Sequence, residues 1–208
     1  MSSSETVSTI VDAEKELAKM LFGLAVAISA IPLLLRLPVR PFGIVIDIAE
    51  FGFSFLILVS VWFGYWNVMS VLPMEDRKIV VLNIGLLFFV SIEPYLFYLN
   101  TTFDLSSHEL LLNAASIGYA LDMAGLMMIL ALFTQELAME ERGLVPKEAM
   151  TQYRRLRDLL FLSAALFAIT VLPLFWGIKL FGQPLRFVFW FIPLILSSAR
   201  ILSERGFQ

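Results

Sequence analysis

The amino-acid sequence predicts an all-α integral membrane bundle of six transmembrane helices, with N- and C-termini both cytoplasmic. Three observations predict it. The 208 residues are 59% hydrophobic and only 16% charged, which is more apolar surface than one small soluble domain can hide. The apolar residues gather into stretches with few charges, each near the roughly 20 residues that a helix needs to cross about 30 Å of hydrocarbon. Lys and Arg are spread unevenly over the intervening loops, and that placement sets orientation, whereas the net charge of −3 does not.

The first span is expected at 17–35, after a cytoplasmic N-terminal segment 1–16. That segment has Ser and Thr followed by acidic residues, where a secretory signal would have basic residues and a short apolar run. The first span therefore stays as an anchor. Gly does not follow Met1 and no Cys ends the chain, so lipidation is not indicated. The second span is expected at 44–68, between a turn bracketed by Pro38 and Pro41 and a stop at Pro73. The third and fourth are expected at 79–99 and 112–134. From Gln135 to Asp158 the chain is rich in charge, and Gly143 with Pro146 reads as a helix stop followed by a restart, hence a cytoplasmic helical hairpin. Spans at 159–181 and 186–202, parted by Gly182 and Pro184, complete one domain over 17–208. With six spans, Lys15, Lys19, Arg77, Lys78, Arg142, Lys147, Arg154, Arg155, Arg157, Arg200 and Arg205 fall on one side; Arg36, Arg40, Lys179 and Arg186 fall on the other. The richer side is the cytoplasmic one.

Composition also excludes chemistry. There is no Cys, and His108 is the single histidine, so disulfides, thiolate catalysis and Cys- or His-based metal sites are not expected. No nucleophile with a base partner and no nucleotide loop is visible. The expectation is a protein that is not an enzyme and has no cofactor and no metal. The cluster Arg154-Arg155-x-Arg157 is explained by inside positive charge meeting anionic headgroups, and no nucleic-acid partner is expected.

Polar residues inside spans are the candidates for function, because a charge at the centre of a helix in lipid costs roughly 2.5–3.5 kcal/mol on insertion scales. They are Asp47, Glu50, Asn83, Glu93 and Asp122, with Trp62 as an indole donor. Asp122 is the deepest. It reads either as a hydrogen-bond partner of Ser116, Tyr119 or Asn83, or as a proton or cation site. Glu93 precedes Pro94 and is expected near the outer boundary, solvated, as an interfacial anchor or a cation-concentrating group at a mouth. Trp62, Trp66, Tyr95, Tyr98, Trp176 and Trp190 suit an interfacial belt. In the first span Ser29 is the only polar residue past Lys19. A face through Phe22, Val26, Ser29 and Leu33 would place apolar rings beside a hydroxyl ring if several copies surrounded one axis, the makings of a pore that gates by dewetting. The competing reading is a plain helix interface through Gly23, Ala25 and Ala27.

The second span reads FGFSFLILVSVWFGYW and the third LNIGLLFFVSIEPYLFYL. The spacing from Ser54-Phe55-Leu56 to Trp62, and from Asn83 to Pro94-Tyr95, resembles the second and third helices of the transmembrane protein 175 family, the prokaryotic branch of the lysosomal potassium channel family. The resemblance implies six helices per subunit, a homotetramer, a pore lined by the first helix, and passive, potassium-preferring cation permeation. Its partners would be membrane lipid and potassium or other monovalent cations, and its place the cell membrane. The family's first-helix mark, Arg-x-x-x-Phe-Ser-Asp, is missing: Lys19, Met20 and Leu21 stand where Phe, Ser and Asp are expected. Tyr65 and Trp66 stand where prokaryotic members tend to carry a His pair. No TVGYG-type filter is present, so selectivity would come from side chains around the axis. Two other readings remain, a proton-coupled secondary transporter using Asp122 and Glu93, and a non-conducting membrane subunit.

Overall fold

A computed structural model describes residues 3–31, 41–73, 76–102, 109–180, 183–186 and 188–193. Leu33, His108, Pro38, Arg36, Arg40, the greater part of the sixth expected span and the C-terminus lie outside the described residues.

Among the described residues five long helices form: α1 (Ser3–Ser29), α2 (Pro41–Met69), α3 (Arg77–Thr102), α4 (Glu109–Ala138) and α5 (Lys147–Ile169). Helix α1 begins at Ser3, so segment 1–16 is mostly the polar start of the first helix. Pro41 opens α2, where its missing N–H costs nothing and its fixed φ suits the first helical turn. Pro94 sits inside α3. Asp76 caps α3 by accepting the Lys78 backbone N–H at 2.9 Å. After α4 a 3-10 turn (Glu140–Arg142) ends at Gly143, whose φ of 58° is the left-handed conformation that stops a helix, and Pro146 starts α5. The hairpin expected from Gly143 and Pro146 is thus present, but its arms are the ends of α4 and α5 themselves.

One expected span does not form as a single helix. The hydropathy of 159–181 predicts a crossing, whereas α5 starts at Lys147, ends at Ile169 and gives way to a turn at Thr170 and Pro173. A four-residue helix α6 (Leu174–Gly177) follows, then a minimal antiparallel pair, β1 (Lys179–Leu180) with β2 (Gln183–Pro184). The apolar part of α5 from Leu159 to Ile169 is only about 16 Å long. Among the described residues, the helices long and apolar enough to cross a membrane are Phe51–Met69, Arg77–Asn100 and Leu110–Ala138. They make the chain an integral membrane protein.

Helix α4 is the centre, packed mainly on α5 and α3, with α1 lying on α3 and α2. The buried row of α3 is Ile79, Asn83, Leu86, Val90, Glu93 and Phe97, alternating three and four residues apart, the spacing of one helix face. Glycines from both helices line this contact: on α4 a Cβ at Gly125 would meet the Phe89 ring at 2.7 Å and one at Gly118 would meet Leu96 at 3.3 Å, while on α3 a Cβ at Gly85 would meet Ile129 of α4 at 3.2 Å. Absent side chains at these points let the antiparallel pair approach closely.

Candidate functional site

Four groupings of polar or aromatic side chains stand on this frame. The first is on α1. Ala18, Phe22, Ala25 and Ser29 are buried, spaced as one face, and small at Ala18 and Ala25, so this face closes on α2 and α3. Phe22 packs on the Tyr65 ring at 5.7 Å, Val26 is half-buried against the same core, and the Ser29 hydroxyl donates to the Val26 carbonyl at 2.7 Å. Phe22, Val26 and Ser29, expected to meet a pore axis, are therefore turned towards the helices of their own chain. The reason is size: the sequence offers its small residues on this row, and small residues go where helices touch. The opposite row, Leu17, Met20, Leu24, Ala27 and Ile31, is exposed, Met20 to 71%. Its three- and four-residue steps make a continuous apolar seam.

The second grouping fixes α1 to α2. The Lys19 ammonium lies over the Trp66 ring, 5.4 Å from its centroid, and pairs with Glu16 at 2.6 Å. A cleft here is lined by Lys19, Trp62, Tyr65, Trp66, Met69 and Ser70. Trp62 is partly exposed and stacks near Phe63. The two positions where a His pair was expected from the resemblance, Tyr65 and Trp66, are thus the ones that touch α1. A cation over an aromatic face contributes about 0.5–1 kcal/mol when exposed.

The third grouping is a polar layer between α2, α3 and α4. Ser54 donates to Glu93, with its oxygen 3.1 and 3.3 Å from the two carboxylate oxygens. Glu93 is fully buried, not solvated at a boundary as expected, because it belongs to the core-facing row of α3. The contacts of Leu96 with Gly118 and of Phe89 with Gly125 bracket the level at which Glu93 faces Asp122. Asp122 is 3% exposed, and among the described residues neither of its oxygens has a hydrogen-bond partner, nor does the Tyr119 hydroxyl. Of the partners expected for Asp122, Ser116 donates instead to Asn100 at 2.6 Å. Asn83 lies about 15 Å along α3 from Glu93 and is not part of this layer. The aromatic rings of Phe97 and Trp190 pack on Tyr119 at 5.8 and 4.7 Å and roof the layer.

The fourth grouping was not expected. Glu136, 1% exposed near the end of α4, pairs with Lys78 at the start of α3 and with Arg142 at 3.0 Å; Arg142 also holds Asp76 at 2.9 Å. The Lys78 N–H and then the Arg142 guanidinium hold the Asp76 carboxyl below its ordinary 3.8. Lys78 and Arg142, placed on one side by the basic-residue pattern, do converge at one end of the bundle. Arg186, placed on the other, reaches Asn113 at the start of α4, at 2.9 Å.

No family model and no curated protein matches this sequence. Among solved structures, the fold is similar to that of a lysosomal potassium-selective channel TMEM175 homologue from Chamaesiphon minutus, with a TM-score of 0.62 at 17% identity. The match covers 92% of this chain and 98% of that one. It is the fold to which the spacing of Ser54-Phe55-Leu56, Asn83 and Pro94-Tyr95 pointed.

Proposed function

We propose that this chain is a divergent member of the transmembrane protein 175 family and acts as a cation channel, potassium-preferring and passive, in which four copies surround an axis lined by α1. The observation that carries the proposal is the likeness of fold, nearly end to end, to a channel described as potassium-selective. The exposed seam of α1 supports it. A helix that lines an axis between copies must present that face outward from its own subunit, and Leu17, Met20, Leu24, Ala27 and Ile31 are so presented. On this reading the lining is the row opposite the one first expected, with Phe22 and Ser29 behind it as supports.

A seam without a polar side chain past Lys19 makes a narrow, dry constriction, which conducts only when widened or wetted. The convergence of Lys78 and Arg142 at one end of the bundle, with Arg186 at the other, supports the orientation in which the termini are cytoplasmic. The test is reconstitution of the purified protein in liposomes and planar bilayers. Unitary currents with potassium carried better than sodium are expected. A saturable flux that follows the proton gradient without unitary currents replaces the channel by a carrier, and no flux in either format leaves a non-conducting subunit.

A further inference from the structure

Three helices of a single subunit close on a layer that holds two carboxyl groups and, among the described residues, no cation. Glu93 of α3 and Asp122 of α4 face each other at one level, and Ser54 of α2 reaches the first of them. Among the described residues, Ser54 is the side chain that hydrogen-bonds Glu93, and the Tyr119 hydroxyl and both Asp122 oxygens have no hydrogen-bond partner. From α5 the buried residues are Met150, Ser163, Ala164 and Phe167, none of them titratable. From α1 they are Ala18, Phe22, Ala25 and Ser29. Lys78 and Arg142 are engaged with Glu136, about 20 Å along α4 from Asp122, and Arg186 with Asn113, about 13 Å the other way.

A pair of ionised carboxylates in one water-excluded layer has both the desolvation cost of each charge and their mutual repulsion, with no cation among the described residues to offset them. The Ser54 hydroxyl supplies one hydrogen bond to Glu93. The two Asp122 oxygens, buried and without a hydrogen-bond partner among the described residues, are the acceptors left over. We propose that Glu93 and Asp122 form a proton-binding pair inside each subunit, titrating as one unit and holding at least one proton in the folded protein at neutral pH. The pair lies within α2, α3 and α4, apart from the outward row of α1, so it stands whether or not the chain conducts. A folded state that binds more protons than the unfolded chain loses stability as pH rises. The pair therefore makes the packing of α2 to α4 sensitive to alkaline pH.

The test is infrared spectroscopy of the protein in lipid, read at the C=O stretch of protonated carboxyl groups, alongside melting temperature against pH. At neutral pH the wild type is expected to show this band. Glu93→Gln and Asp122→Asn should each weaken or shift it, and the double variant should lose it together with the alkaline fall in melting temperature. Absence of the band in the wild type, or an unchanged band in the double variant, overturns the proposal. If the double variant does not fold, an unchanged band in both single variants does the same. A band seen in N-methylglucamine buffer but erased by sodium or potassium also overturns it, since a metal cation then neutralises the pair.

Discussion

Asp76 shows how a single side chain ties sequence-distant elements. Its carboxylate accepts the Lys78 N–H at the start of α3 and the Arg142 guanidinium beyond α4, both at 2.9 Å. With its carboxyl held below the ordinary value, its contribution to stability is complete above that value and disappears as pH falls through the lowered one. Asp76→Asn is expected to lower the melting temperature at neutral pH, with the difference closing at acid pH; a difference that stays constant across the titration assigns the effect to packing. This contact could not be read in the sequence, because Asp76 and Arg142 are 66 positions apart and surface charges carry no pairing code. Glu93 was legible in principle. The row Ile79, Asn83, Leu86, Val90, Glu93, Phe97 is visible as a helix face, and the face a residue occupies, more than its position along the span, decides whether it meets solvent.

Among the elements, α2, α3 and α4 follow from hydropathy alone, since an apolar run of this length forms a helix wherever lipid surrounds it. Helix α5 does not. Its first half, with Lys147, Glu148, Arg154, Arg155, Arg157 and Asp158, is polar, and its second half is apolar. Hydropathy divides it at Asp158, while helix propensity runs across the boundary through Arg155, Leu156, Arg157, Leu159, Leu160, Leu162 and Ala164. The close contact of α3 with α4 is equally hidden, because a glycine in an apolar span says only that something comes near. Gly125→Ala should push on the Phe89 ring and cost about 1–3 kcal/mol by overpacking. In a Phe89→Leu background the same change should cost less, and thermal unfolding of the four proteins measures the coupling. Additive costs mean that the ring swings aside freely.

At the scale of the whole molecule, α1 carries an apolar seam that the described residues do not cover, and the proposed assembly is what gives that seam a place. Phe22 and Leu24 separate the possibilities, for they are close in sequence and opposite in environment: Phe22 is buried on Tyr65, and Leu24 is exposed. If α1 surrounds the axis, Leu24→Ser and Met20→Ser put hydroxyls into a dry constriction, and resting cation leak should rise several-fold with the oligomer and its melting temperature little changed. Phe22→Ala removes a buried aromatic, so it should cost about 3–5 kcal/mol of stability and alter flux only through lost protein. Ser29→Ala breaks a hydrogen bond within its own helix and should leave potassium preference unchanged. Should Ser29→Ala alter selectivity while Leu24→Ser and Met20→Ser do nothing, α1 would have to turn by roughly half a revolution on assembly, and the outward row would be a lipid-facing one. Single-channel recordings beside mass measurement of the detergent-solubilised oligomer distinguish these outcomes, because a row that faces lipid changes neither current nor subunit number.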